Sequence, residues 1–321
     1  MKKIFALVLI LALTFGVPAF ALDYPTQNIT GVVLWGAGGT TDSILRPLAT
    51  LASPLLGKSI IIQNMTGAGG SVATQYVYDS PADGYTLLMG AENPALYDAI
   101  GISEVTYDDF DCVFLVGDEA AGIIVSKNSK YKTFKELIED AKANPGTIKY
   151  SETGPGGLPW TVSAFIQDVT GASFNQVPYD SDAAAKNAVL NGECDFTVCL
   201  LQQGLEEYKA GELKFLAVFS KTPDKSLPEV PVIINEYPAF EKYLPWGAFY
   251  GVFAKKGTDK TIIDKLAEAF KAAAPNETYQ EVLKNFDVNF MGATGEEAAN
   301  YVSNWRKNTV QALKNSGILD D

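Results

Sequence analysis

The sequence predicts an α/β protein of two lobes, each a mainly parallel sheet flanked by helices. Three observations predict it. Apolar runs of strand length alternate with glycine-rich turns and amphipathic helical stretches, which is the pattern of layered α/β domains. The alternation comes in two separate series, and 321 residues are enough to give each series its own core. A composition of 47% hydrophobic and 20% charged residues is that of an ordinary globular chain.

Before the first series stand Lys2 and Lys3, an apolar run from Ile4 to Val17, and the small-x-small triplet Ala19-Phe20-Ala21. These are the three parts of a removable secretory signal over residues 1–21. Pro18 arrives before the roughly 20 apolar residues a membrane span needs. Leu22 rather than a cysteine follows the cut, so no lipid attachment is indicated. A periplasmic or otherwise extracytoplasmic location is expected.

The first series opens with a strand at Gly31 to Leu34, a turn at Gly36 to Thr41, and a helix carrying Ile44, Leu45, Leu48, Leu51 and Leu55 on one face. A strand at Ser59 to Gln63, a turn at Thr66 to Ser71, a helix through Tyr78 and a strand at Thr86 to Met89 complete it. The second series starts with a helix bearing Phe134, Leu137, Ile138 and Ala141, stopped by Asn144-Pro145-Gly146. Strand Thr147 to Tyr150, loop Ser151 to Gly157 and a helix from Pro159 to Val169 follow. Strand Ser173 to Val177, a helix from Asp182 to Asn191 with Gly192 after it, and strands Cys194 to Leu200 and Leu213 to Phe219 close the unit. The last third returns to helices at Lys260 to Ala273, Thr278 to Asn285 and Glu296 to Asn315, with a strand at Tyr250 to Ala254. The apolar segments Cys112 to Val116 and Phe249 to Phe253 are expected to cross between lobes. The first lobe would then be discontinuous, residues 22–117 with 250–321, and the second would be 118–249.

Charge narrows the partners. The chain has 25 basic and 38 acidic residues, and removal of Lys2 and Lys3 leaves 23 against 38, a formal charge of −15. Such a surface repels nucleic acid and anionic lipid. Histidine is absent and arginine occurs only at Arg46 and Arg306, so histidine metal sites are excluded and arginine clamps nearly so. An anionic ligand must therefore be held mainly by backbone amides. Cys112, Cys194 and Cys199 are too few and too oddly spaced for a zinc site or a disulfide scaffold. Cys194 and Cys199 fall in one expected strand with opposite facings, where a bridge would be strained, and the cysteines read as small buried hydrophobes. One bridge involving Cys112 stays open. No cofactor or metal is expected.

The sharpest motif is V-L-W-G-A-G-G-T-T-D at Val33 to Asp42, between a strand and a helix. Glycines let the backbone turn tightly and approach a ligand, and the helix start offers unpaired N–H groups and partial positive charge. The candidate anion-binding residues here are Trp35, Gly36, Ala37, Gly38, Gly39, Thr40, Thr41 and Asp42. The arrangement repeats at Thr66, Gly67, Ala68, Gly69, Gly70 and Ser71, and again in the second series at Ser151 to Gly157. Three such turns at the carboxyl ends of parallel strands point to one cleft. Neither glycine loop of the first series is a nucleotide motif: the spacing is not G-x-G-x-x-G, and no G-K-[S/T] occurs. Asp42 reads as a helix-start residue paired with Arg46 four positions on. Trp35 either lines the cleft or packs in the core, and Tyr179 either offers its hydroxyl to a ligand or simply packs. No nucleophile–base pair is visible, so an enzyme is not expected.

These residues resemble the tripartite tricarboxylate transporter receptors, the Bug family of periplasmic binding proteins, over essentially the whole mature chain. The resemblance is carried by W-G-A-G-G-T-T-D with Arg46, Q-N-M-T-G-A-G-G at Gln63 to Gly70, P-A-D-G-Y-T-L at Pro81 to Leu87 and N-P-A-L-Y at Asn93 to Tyr97. It continues through V-P-Y at Val177 to Tyr179, G-E-C-D at Gly192 to Asp195, K-A-G-E-L-K-F-L-A-V at Lys209 to Val218 and L-P-E-V-P at Leu227 to Pro231. It implies a two-lobed, type II-like Venus flytrap fold of the periplasmic-binding-protein kind, a small carboxylate held between the lobes, and delivery to a membrane permease of that transporter type. A monomer is expected. The resemblance also implies that the two first-lobe loops hold one ligand carboxylate, and that Ser151, Thr153, Gly156, Tyr179, Ser181 and Asp195 form the second-lobe wall. Leu34, Ser181 and Val232 depart from the family pattern, and Ser181 adds a side chain to that wall. Tricarboxylates, dicarboxylates, acidic amino acids and aromatic carboxylates all stay open as ligands, as do a sensing subunit or a small-acid enzyme on the same fold.

Overall fold

The computed structural model describes residues 23–319. The secretory segment expected at residues 1–21 lies outside the described residues. From β1 (Ile29–Val33) the chain runs through α1 (Thr40–Leu56), β2 (Ile60–Asn64), α2 (Ser71–Asp79) and β3 (Thr86–Gly90), the first series in its expected order. Then come β4 (Phe110–Ser126), α3 (Phe134–Ala143), β5 (Lys149–Glu152), α4 (Leu158–Thr170), β6 (Asn175–Pro178) and α5 (Asp182–Leu190). The unit closes with β7 (Phe196–Leu200), α6 (Leu201–Lys209) and β8 (Leu213–Val218). A short α7 (Ile233–Glu236) leads to β9 (Gly247–Lys255), α8 (Lys260–Ala273), α9 (Glu277–Asn285), β10 (Val288–Ala293) and α10 (Gly295–Asn315).

Parallel pairing holds within β2-β1-β3 and within β6-β5-β7, and antiparallel strands extend both trios. β9 lies antiparallel to β3 and to β4, and β10 pairs antiparallel with β4. β7 and β8 pair antiparallel with the far end of β4. One strand therefore serves both sheets: β4 faces β9 and β10 over Phe110 to Ala120, then β7 and β8 over Ala121 to Ser126. Its near-continuous apolar run suits a strand covered on both faces, and most of its residues are buried. The segment expected at Phe249 to Phe253 is the middle of β9, whereas that expected at Cys112 to Val116 lies in the first-sheet part of β4, which passes from β9 to β7 only at Ala120 and Ala121.

Helix α1 shows how sequence becomes packing. Ile44, Leu45, Leu48, Ala49, Ala52 and Leu56 recur on one buried face, and Gly57 ends the helix in the left-handed region at φ 72°. Over the start of β9, Trp305 of α10 stacks on Trp246 at 5.7 Å between ring centroids. Its indole N–H donates to the Gly247 carbonyl at 2.9 Å, and that of Trp246 donates to Thr309 at 3.0 Å. Each such buried side chain contributes about 1.5–3 kcal/mol, so α10 is fixed where the chain returns to the first sheet. Among the described residues, no helix is long and apolar enough to cross a membrane.

One expectation is corrected and one open alternative is closed. The strand expected at Cys194 to Leu200 begins only at Phe196, because the turn after α5 is closed by the Cys194 N–H donating to the Ala188 carbonyl. All three cysteines are free thiols, and no bridge involves Cys112.

Candidate functional site

A cavity of about 630 Å³ opens where helix starts from the two sheets face each other. One wall is the start of α1, with Trp35, Gly39, Thr40 and Thr41, joined by Gly69 before α2. The opposite wall holds Thr153, Pro155, Gly156 and Gly157 before α4, and Asp180, Ser181 and Asp182 at the start of α5. Ala248 and Tyr250 of β9 form part of the floor.

The turn before α1 is built to keep its amides free. Gly39 is the N-cap residue and supplies no side chain. The buried Asp42 carboxylate instead reaches back to accept from the Gly38 N–H at 2.9 Å, pairs with Arg46 at 2.6 Å, and accepts from the Asn64 amide at 3.0 Å. Burial works to raise the Asp42 carboxyl, and the Arg46, Gly38 and Asn64 contacts overcome it, holding the group below its ordinary value. The paired role expected for Asp42 is what the structure has, and the residue does not line the cavity. Among the described residues, the N–H groups of Thr40, Thr41 and Asp42 have no hydrogen-bond partner, as expected for the first turn of a helix.

Gly67, Ala68, Gly69 and Gly70 all have positive φ, so the second loop needs its glycines to turn as it does. The Tyr97 hydroxyl donates to the Gly69 carbonyl at 2.7 Å and pins the loop. A Cβ on Gly70 would lie 2.8 Å from that hydroxyl and 2.9 Å from Leu34 Cδ1. Within this loop Gly69 reaches the cavity, while Thr66, Gly67, Ala68, Gly70 and Ser71 shape the turn behind it.

The structure thus brings together Trp35, Gly39, Thr40, Thr41, Gly69, Thr153, Gly156 and Ser181 from the expected set. Ser181 also caps α5, its hydroxyl accepting from the Ala184 N–H at 3.2 Å. Gly36, Ala37 and Gly38 form the turn but do not line the cavity. Three wall residues are placed elsewhere. Ser151 is fully buried, donating to the Ala185 carbonyl at 2.8 Å and tying β5 to α5. The Tyr179 hydroxyl sits by Glu193 and by Cys194 at 3.6 Å. Asp195 accepts from the Lys149 N–H at 2.8 Å, registering the start of β5.

Sequence reasoning missed Glu92, Asn93, Tyr97, Ile100 and Ile102, which follow β3 and close one side of the cavity, together with Asp180, Asp182 and Tyr250. The N-P-A-L-Y motif was the available signal, since its proline marks a turn just beyond a strand end. The Tyr250 hydroxyl donates to Glu119 at 3.0 Å beneath the floor. Burial pushes the Glu119 carboxyl up to about 8, against the lowering effect of that hydroxyl. No lining residue is a histidine, cysteine, lysine or arginine, so the described lining offers no side-chain cation. Its chemistry is donation from helix starts beside acidic side chains.

Residues 44–318 match the tripartite tricarboxylate transporter family receptor, TctC. The chain belongs to this receptor family. Proteins similar to it include the protein BugT of Bordetella pertussis, 29% identical over 312 residues and 94% of each chain. Among solved structures, the periplasmic binding protein BugD is 26% identical with a TM-score of 0.75, covering 92% of this chain and 99% of its own. Rpa4515 of R. palustris, solved with adipate, is 25% identical with a TM-score of 0.75, over 92% of this chain and 99% of its own. The two-lobed α/β periplasmic-binding fold expected from the sequence is thus the receptor's fold. The family is one of receptors, and BugD is a periplasmic binding protein.

Proposed function

We propose that the receptor captures a small carboxylate in this cleft outside the cytoplasmic membrane, closes on it, and presents the closed form to a tripartite tricarboxylate-type permease. The observation that carries the reading is the convergence of helix starts from both sheets on one cavity whose first wall offers unpartnered N–H groups. The adipate held by the similar Rpa4515 supports a carboxylate as the guest. Residues 22–117 with 250–321 form one lobe and 118–249 the other, and the lobes move about β4 and β9. The overall negative charge does not oppose capture, because repulsion across the surface is screened within about 8 Å while helix-start donors act at contact.

A thermal-shift screen of the mature, signal-free protein against tri-, di- and monocarboxylates, acidic amino acids and neutral sugars tests this. A carboxylate at 100 times its dissociation constant adds about 2.7 kcal/mol of stability and raises the melting temperature. Shifts with sugars and none with any carboxylate overturn the reading.

A further inference from the structure

The cavity is furnished for more than a carboxylate. Its charged lining side chains are Glu92, Asp180 and Asp182, all acidic. Glu92 follows β3 on the first wall and Asp182 begins α5 on the second, so the acids face the space from both sides. Glu92 Oε2 is shut off from solvent and accepts no hydrogen bond. An unpartnered buried carboxylate oxygen is costly, and in a binding cleft it marks a place where a donor is missing. Among the described residues, no group of three or more histidine, cysteine, aspartate or glutamate side chains is placed to hold a metal ion. A plain dicarboxylate would bring further negative charge to these acids.

We propose that the cleft takes a zwitterion, a carboxylate that also bears an ammonium group such as an amino acid, with the ammonium received by Glu92 and Asp182 from opposite walls and the carboxylate by the α1 turn. The proposal rests on the reading of the cleft as a carboxylate site and names the ligand class within it. An ammonium shared between the walls gives a direct reason for the lobes to close. The titration behaviour agrees. Burial raises the Asp182 carboxyl against hydrogen bonds from Thr153 and Gln203. Burial pushes Glu92 up to about 7, its own backbone N–H partly offsets this, and the Asp182 charge adds to it. The Asp182 carboxylate is a like charge for Glu92 across the cleft and so adds to the cost of ionising it. A bound cation removes that cost.

The test is calorimetric titration of the mature protein with matched pairs at pH 6 and pH 8: L-glutamate and glutarate, L-aspartate and succinate, 5-aminopentanoate and pentanoate. At least one ammonium-bearing member is expected to bind about ten-fold or more tighter than its partner. Its affinity should rise from pH 6 to pH 8, because Glu92 must lose its proton to receive the cation while the ammonium stays charged; Glu119 beneath the floor, pushed up to about 8 and itself repelled by Glu92, ionises over the upper part of the same range and adds to the rise. Glu92→Gln should weaken that ligand about ten-fold or more and flatten the pH dependence, with ligand-free melting unchanged or higher. Asp182→Asn serves as a second variant. If Glu92 instead binds protonated and donates to a second ligand carboxylate, the acid without ammonium binds better, affinity falls as pH rises, and Glu92→Gln keeps it; that result overturns the zwitterion and leaves the carboxylate reading standing. Binding by no member of any pair overturns both.

Discussion

Gly156→Val is expected to weaken ligand binding about 100-fold or more while both sheets stay folded. Gly156 has φ +83°, where a β-branched residue is strained by about 1–3 kcal/mol. A Cβ there would also lie 2.8 Å from Ile100 Cδ1, which projects from the opposite wall. The added side chain therefore acts where the two walls meet and props them apart. A penalty of about 2.7 kcal/mol on the closed form is a 100-fold loss of affinity. Calorimetry of the variant measures the loss, and circular dichroism checks that secondary structure is kept. Adding Ile100→Ala should return part of the affinity by removing the clash, a recovery that a merely misfolded loop would not give. Unchanged affinity in Gly156→Val would remove this contact from the closing surface.

Gly117→Val is expected to do the opposite, costing stability first. Gly117 sits in β4 at φ +156° beside a register shift, and a Cβ there would meet the Asn289 carbonyl and the backbone of Phe290 in β10. These are backbone atoms of a paired strand, so nothing yields without β10 leaving β4. Overpacking of side chains alone costs about 1–3 kcal/mol; with a paired strand displaced as well, the loss should be about 3 kcal/mol or more. Urea unfolding should show a lower midpoint, and amide exchange should show early loss of protection over β10. A midpoint equal to the parent's would mean that β10 is not held there.

The glycine turns explain why so much of the fold could be read from the chain. Each combines a β-branched or apolar run, a turn that needs positive φ, and a helix with a one-sided apolar face, so three independent local signals agree at α1 and α2. The placing of Ser151, Tyr179 and Asp195 depended on which way a strand-end side chain points. That is settled by distant partners such as the Ala185 carbonyl and the Lys149 N–H. The segment from Glu92 to Ile102 carried no period to read, because it is a 3₁₀ turn and irregular chain. It is fixed from 208 residues away by Arg306 of α10, which donates to both oxygens of Asp98 at 2.8 and 2.6 Å. The N-P-A-L-Y motif marks the turn that Glu92 precedes, but the placing of the Glu92 carboxylate in the cleft is a product of tertiary structure.

A crystal structure of the mature protein with the tightest carboxylate from the screen tests the cleft most directly. One ligand carboxylate should lie within hydrogen-bonding distance, about 3 Å, of the Thr40 and Thr41 N–H groups, with the rest of the molecule between Glu92 and the start of α5. A ligand seated outside this cavity, or held there without touching the α1 turn, would contradict it.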